Sequence, residues 1–416
     1  MIARMSDTEI PMPNPAHRQR RQSEPLRAAI IGGGPLGIEA AHYAARLGHA
    51  VWLFERDAQV APDVRAWAHV EMFSPWKQIR SPLGALLLRE SLKAEKINLW
   101  KYPPDRVHPI GSNFVKLYLE PLVSLLGTSY LRETRVAALG RSYMFPGEHA
   151  AEPEKRTARR FRILARSPLE ERVYTADYVI DATGVSHTSH WAGAGGLPAL
   201  GELGSRGKIF YRIPDVAGRD RMHFLGKKTL LIGDGTSAAE TAVALAELLE
   251  KEPDGSFLWV TNSRSEMPCK LTPGDPLLRR DTLLKKANLL VKSGNPRITF
   301  LPITQVEAIQ HSLATGRFQV TLQVNHETQR MTVDAVVANV GSRLDSQNFE
   351  RSLHPQEPGL YQIGAKAADG AGDFLLPEGR RQIQDIFRQI TGRPDLDLYA
   401  EAEAALRMMD GEQTSG

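Results

Sequence analysis

Gly32, Gly34 and Gly37 stand in a G-x-G-x-x-G spacing around Pro35 and Leu36, and a carboxylate, Glu55, follows about twenty residues on. Glycines so spaced let a backbone turn approach a pyrophosphate, and the acid accepts hydrogen bonds from ribose hydroxyls. Gly233, Gly235 and Ala238 repeat the spacing as G-x-G-x-x-A around Thr236 and Ser237. No acid closes this second pattern, where Thr261, Asn262, Ser263 and Arg264 stand instead. A carboxylate there would repel a 2′-phosphate, whereas hydroxyls and a guanidinium hold one. The first site thus suits FAD or NAD, and the second reads as NADPH. Two nicotinamides would leave only a transhydrogenase-like exchange, while a flavin beside NADPH allows hydride transfer to the flavin. FAD is therefore assigned to the first site.

The elements around the glycines fit this chemistry. Ala28 to Ile31 is an apolar run of strand length, a helical pattern of Ile38, Ala41, Ala44 and Ala45 stops at Gly48, and Val51 to Phe54 is a second strand leading to Glu55 and Arg56. The same order returns as Lys228 to Ile232, a helix from Ala239 to about Glu250, and Phe257 to Val260. Strand pairs follow each motif, at Phe161–Ala165 with Arg172–Tyr174 and at Phe318–Leu322 with Arg330–Val333. The interval from Phe161 to Gly184 equals that from Phe318 to Gly341, so one plan has been used twice. Thr183-Gly184 and Gly341 end buried strands in small residues, which lets the chain pass close to a cofactor. Between the copies, the spacing predicts a helix over Phe114–Leu126, with Leu117, Leu119, Leu122, Leu125 and Leu126 on its apolar side and Pro121 marking a kink or a late start. It also predicts a strand over Tyr130–Val136 and a helix over Pro276–Gly294 capped by Asp275. The loop after Glu55 holds Trp67, His69, Met72, Phe73, Ser74 and Trp76, aromatics that either lie against a planar ring or fill the core. Leu360–Gly364 reads as a strand, Arg381–Ile390 as a helix closed by Gly392, and Glu401–Met409 as a last helical stretch.

Composition narrows the class. With 52 basic against 48 acidic residues, the charge excess is too small to argue for nucleic acid. Cys269 is the single cysteine, so no intramolecular disulfide forms and a reducing cytoplasm is expected. Residues 1–25 read as a disordered basic tail without the apolar core of a signal peptide. No run is long enough to cross a bilayer. His187 and His190 have no Cys, Asp or Glu neighbours to complete a metal site, so no metal is expected.

From about residue 26 to 392 the chain resembles the two-dinucleotide-binding-domain flavoproteins, the superfamily of thioredoxin reductases, flavin-containing monooxygenases and related N-hydroxylases. The motifs are Gly32-x-Gly34-x-x-Gly37 with Glu55, Ala182-Thr183-Gly184, Gly233-x-Gly235-x-x-Ala238 with Arg264, Gly341 and Gly364. The resemblance implies an α/β fold of two Rossmann-like, three-layer domains, the NADPH domain inserted into the FAD domain. Residues 26–220 and 335–392 would bind FAD, 221–334 would bind NADPH, and 393–416 would form a C-terminal helix and frayed tail. Val136 would sit where the family contacts adenine. Arg56, Ser74 and Gly364 complete the expected FAD contacts, and Thr236, Ser237, Ser263 and Arg264 those of NADPH. The chain departs from the family in three places. Ala365 replaces the carboxylate that often follows the glycine of the last strand and holds the flavin ribityl chain. One cysteine cannot form the redox pair of thioredoxin reductases. Gly201 to Asp215 holds Phe210 and Tyr211 but no histidine of the monooxygenase signature. The expected activity is monooxygenase-like: NADPH reduces FAD, which activates oxygen for a small nucleophilic substrate. The alternatives are a reductase passing electrons to a quinone or redox partner protein, and a low-turnover nucleotide-sensing flavoprotein.

Overall fold

A computed structural model describes residues 25–94, 103–145, 148, 152–185, 188–252, 254–343, 350–353, 357–368 and 374–413. The expected tail at 1–25 lies, apart from Pro25, outside them. The first part of the chain forms β1 (Arg27–Ile31), β2 (Ala50–Phe54), β3 (Tyr130–Leu131), β4 (Arg135–Arg141), β5 (Phe161–Arg166), β6 (Glu171–Ala176) and β7 (Tyr178–Asp181). The middle part forms β8 (Lys228–Ile232), β9 (Ser256–Val260), β10 (Ile298–Leu301), β11 (Thr304–His311), β12 (Phe318–Val324), β13 (Glu327–Val333) and β14 (Ala335–Ala338). The chain returns through β15 (Glu350–Ser352) and β16 (Leu360–Gln362).

The first sheet has the order β16-β7-β1-β2-β3 with parallel pairing throughout. Parallel strands covered on both faces need near-continuous apolar runs, and Ala28–Ile31 and Tyr178–Asp181 are buried at every position. Alternate residues divide between the faces. Ala28, Ile30 and Ile180 join the core under the helix Pro35–Arg46, while Ala29, Ile31 and Val179 pack on the antiparallel strands β4 to β6. The second sheet, β10-β9-β8-β14, repeats the arrangement. Leu231, Trp259 and Val337 face the helices Thr236–Lys251 and Leu278–Lys292, and Leu230, Val260 and Val336 face the antiparallel strands β11 to β13. Each unit is therefore a three-layer stack of helices, parallel sheet and antiparallel sheet.

The structure moves both expected domain boundaries. Ala335–Ala338 pairs with β8 in the second sheet, so residues from 335 belong to the second unit as far as the turn at Gly341. Segment 192–220, expected in the first domain, also joins the second unit. Gly193 and Leu200 bridge to β11, Phe210 bridges to Val337, and Ala192, Ala199 and Ile209 enter the core beneath β11–β13. This glycine-rich stretch has no periodicity, and it takes its partners from β11 and from the edge of β14.

Local expectations shift for identifiable reasons. A π-helical turn, Val115–Leu119, interrupts the expected helix before Pro121, whose ring cannot join the preceding hydrogen-bond ladder. The π turn itself leaves Leu117 exposed, and the rotation it imposes on the later face leaves Leu125 exposed. Tyr130–Val136 is divided between two sheets, with Glu133 at φ 51° marking the change of direction. Asp275 accepts the Leu277 amide and pairs with Arg280, bracing the chain before a helix that begins only at Leu278. The helix Leu376–Thr391 starts ahead of Arg381 and closes on Gly392 at φ 67°, and the last helix spans Leu398–Gln413.

Glu39 lies in the buried face of the helix Pro35–Arg46. Burial raises its carboxyl above the usual range, and the nearby Ser81, Arg380 and Tyr399 only offset this. A carboxyl whose pKa is raised in the fold costs stability as pH climbs past its unfolded value, because the unfolded chain releases its proton at lower pH than the folded one does. Glu39→Gln should therefore raise stability near pH 8 by about 1–2 kcal/mol more than near pH 4, and flatten the decline that sets in as pH rises above the ordinary carboxyl range. Denaturant melts at the two pH values check this, and identical slopes for both proteins would show that Glu39 is not the source.

Candidate functional site

Both glycine turns are shaped by contacts that leave no room for a side chain. Gly32 has φ 110°, and a Cβ there would lie 2.6 Å from the Ala182 carbonyl oxygen. A Cβ on Gly37 would lie 1.9 Å from the Gly32 oxygen. Gly34 differs, since nothing lies within 4 Å of where its Cβ would stand. The open side of the turn is therefore at Gly34, which precedes the helix Pro35–Arg46 without any side-chain cap on its first amides. Free amides and the positive helix end face that opening, the arrangement an anionic phosphate needs. In the second turn a Cβ on Gly233, φ 129°, would lie 2.2 Å from the Asn339 oxygen, Ala238 is fully buried, and Gly235 is open. The helix Thr236–Lys251 also starts without a side-chain cap.

Glu55 follows β2 and is almost fully buried. Its Oε2 accepts the Gly33 amide at 2.8 Å and its Oε1 accepts the Asp57 amide at 2.9 Å. Burial raises its carboxyl, and these amides together with Arg56 oppose the rise. A carboxylate has about four lone-pair sites, so two remain for ribose hydroxyls. The first cradle therefore fits an adenosine ribose and pyrophosphate.

A cavity of about 970 Å³ connects the two turns. Gly32, Gly34, Pro35, Leu36, Glu55, Arg56, Val136, Thr183, Gly184 and Gly364 line it from the first unit. Gly235, Thr236, Ser237 and Gly341 line it from the second. Gly37, Gly233 and Ala238 shape the turns from behind. Ser74 is buried away from the cavity wall. Ser263 and Arg264 also lie off the wall: Ser263 Oγ accepts the Ser265 amide, and Arg264 is exposed past the end of β9. Lining residues that sequence reasoning passed over include Thr134 and Arg135 beside Val136, and Lys270, Thr272, Arg280 and Asn339 in the second unit. Thr134, Lys270, Thr272 and Asn339 come from loops with no pattern of their own, while Arg135 opens β4 and Arg280 sits in the first turn of the helix Leu278–Lys292. The aromatic loop is a partial exception, because Trp67, Met72 and Phe73 join Phe114 in an apolar wall while Trp76 goes into the core.

Ion pairs hold the two units across this cavity. Arg279 reaches Glu71 of the first unit and Glu240 of the second, each at 2.9 Å, and its guanidinium lies over the Phe73 ring. Arg212 pairs with Asp63 at 2.7 Å. Two connections join the units side by side, with His190 donating its amide to Gly341 and Arg343 its amide to Thr188. His187 lies outside the described residues, among which no group of three or more His, Cys, Asp or Glu could hold a metal. Cys269 is buried, and burial together with nearby Asp234 pushes its thiol up to about 12. A thiol so protonated is a poor nucleophile. None of the helices among the described residues is long and apolar enough to cross a membrane.

Residues 27–73 match the family model for pyridine nucleotide-disulphide oxidoreductases. Sequence comparison with curated proteins gives no match. Among solved structures, the bacillithiol disulfide reductase of Bacillus cereus is similar at TM-score 0.63 and 16% identity, over 89% of this chain and all of that one. The ornithine N-hydroxylase of Kutzneria sp. 744, with reduced FAD, NADP+ and L-ornithine, gives 0.62 and 16% over 89% of this chain and 100% of its own. The FAD-bound cadaverine monooxygenase of Erwinia amylovora gives 0.64 and 13% over 89% and 95%. The chain has the fold of the two-dinucleotide-binding-domain flavoproteins.

The turn geometry separates two roles for glycine. Gly37→Ala should lower the stability of the ligand-free protein by about 2 kcal/mol or more, because the Gly32 backbone has to move. Gly34→Ala should change that stability by less than about 1 kcal/mol while weakening dinucleotide binding, because its methyl group occupies the opening. Thermal melts and ligand titration of both variants check this, and equal binding by Gly34→Ala and the parent protein would place the ligand elsewhere.

Proposed function

We propose that the protein is an NADPH-dependent FAD oxidoreductase of the monooxygenase-like kind, acting on a small nucleophilic substrate. The observation that carries this reading is the single cavity reached by two glycine turns, one closed by Glu55 and the other by no acid. FAD, when bound, supplies hydride acceptance from NADPH and reactivity toward oxygen.

The chain's own part is to bind, orient and exclude water. At the first turn, the amides behind Gly34 would hold the pyrophosphate and Glu55 the adenosine ribose. Leu36 packs on Gly364 and Gly379, fixing the return segment beside the cavity. Trp67, Met72, Phe73 and Phe114 keep one wall dry, which favours an oxygen-transfer step over loss to water. The amides after Gly235 would hold the NADPH pyrophosphate, and Ser263 and Arg264 would meet the 2′-phosphate at the exposed rim. The lone, buried Cys269 gives no support to a thiol relay within the chain.

The purified protein should be yellow, lose its visible flavin absorbance on anaerobic addition of NADPH, and yield an oxygenated product when oxygen and substrate are admitted. Peroxide without product, together with fast turnover on a quinone or ferredoxin, would make it an electron-passing reductase. No NADPH oxidation above that of free flavin would leave a sensor. Arg264→Ala should raise KM for NADPH by about tenfold, the loss of one charge-assisted contact, and leave the NADH value unchanged. An equal change for both nucleotides would remove Arg264 from the 2′-phosphate site.

A further inference from the structure

Ala365 stands where a carboxylate often follows the glycine of the last strand, and the structure shows what takes its place. Past β16 the chain turns at Gly364, φ 82°, and enters a short 3-10 turn, Gly364–Ala368. Gly364 and Ala365 line the cavity, but Lys366 turns inward and is buried. Its ammonium donates to Asp181 Oδ2 at 2.9 Å and to Thr183 Oγ1 at 3.1 Å.

Asp181 is fully buried at the end of β7 and receives donors on both oxygens. Oδ1 accepts the Thr183 amide at 3.2 Å and its hydroxyl at 2.6 Å, while Oδ2 accepts Lys366 and Arg351. Burial would raise this carboxyl, but Lys366, Thr183 and Arg351 outweigh burial and hold it low. The next residue, Ala182, packs directly against the Gly32 and Gly37 turn. Two cations and one carboxylate thus sit behind the pyrophosphate turn, and one of the cations is carried by the cavity-lining return segment.

Resting on the FAD reading above, we infer that Lys366 is a positioning residue of the first cradle. Its ion pair with Asp181 fastens the Gly364-Ala365 backbone against the cavity, replacing a side-chain contact to the ligand. It also leaves a net positive charge behind the turn, which favours an anionic dinucleotide and the electron-rich, reduced form of its ring. The two effects separate by charge. Lys366→Met lowers the local charge by one, Asp181→Asn raises it by one, and the double variant restores it without restoring the fastening.

The test titrates each apoprotein with FAD and measures the flavin midpoint potential of the loaded form. Lys366→Met should weaken FAD binding by at least about tenfold, the scale on which the partner of a binding group acts, and should make the potential more negative. Lys366→Arg should keep both properties near those of the parent. The double variant Asp181→Asn/Lys366→Met should bind FAD as weakly as Lys366→Met while keeping the parent's potential, and Asp181→Asn alone should move the potential upward. If Lys366→Met does not fold, the double variant carries the test, since removing a buried pair together is milder than orphaning one partner. Potentials that ignore the order of charge, or a Lys366→Met protein that binds FAD as the parent does, overturn the inference. A parent protein that takes up no FAD overturns instead the reading on which it rests.

Discussion

At the head of the first sheet the backbone of β1, the start of the following helix and the end of β7 converge with no space for a side chain. Gly37 sits against the Gly32 carbonyl, and Gly32 sits against that of Ala182. This contact sets the angle at which the helix leaves the sheet, and so decides where its unpaired amides point. It also makes the cradle a property of three chain segments rather than of one loop. Because Asp181 lies beside Ala182, the ion pairs that hold Asp181 steady the turn from behind, and the return segment is tied to the same point through Lys366.

The second unit uses the same construction with different consequences. Asn339 takes the place of Ala182 against Gly233. There, however, the strand that follows carries hydroxyls and an exposed arginine rather than a buried acid. The units do not merely sit in sequence. Arg279 and Arg212 reach across from one to the other, and Phe73 of the first unit packs on the core of the second. These contacts are partly exposed, and exposed pairs contribute little individually. Their effect is on orientation: they keep both glycine turns open to one cavity.

Some of this was legible in the residues alone. Gly32-x-Gly34-x-x-Gly37 with Glu55, the second glycine pattern and the equal spacing of the two copies are local signals. Each reflects short-range geometry that the chain carries wherever it goes: a positive φ, a close backbone approach, a strand that must be apolar on both faces. The turns, the parallel strands and the repeated three-layer plan follow from them. The helix at Phe114–Leu126 misled because a single π-helical turn before Pro121 changes the face without changing the composition.

Tertiary structure decided what local pattern does not encode. Segment 192–220 has no periodicity, and it joined the second unit because β11 and the edge of β14 offer it hydrogen-bond partners. Arg264 and Ser263 were identifiable by their place after a strand, but their distance from the cavity depends on how β9 ends in three dimensions. Lys366 carried no motif, and its meaning arose only when the return strand set it beside a buried Asp181. Types of residue and their spacing determined which ligand chemistry each turn suits. Long-range packing determined which side chains meet, because contacts between residues far apart in the chain depend on burial and pairing that no short stretch of sequence contains.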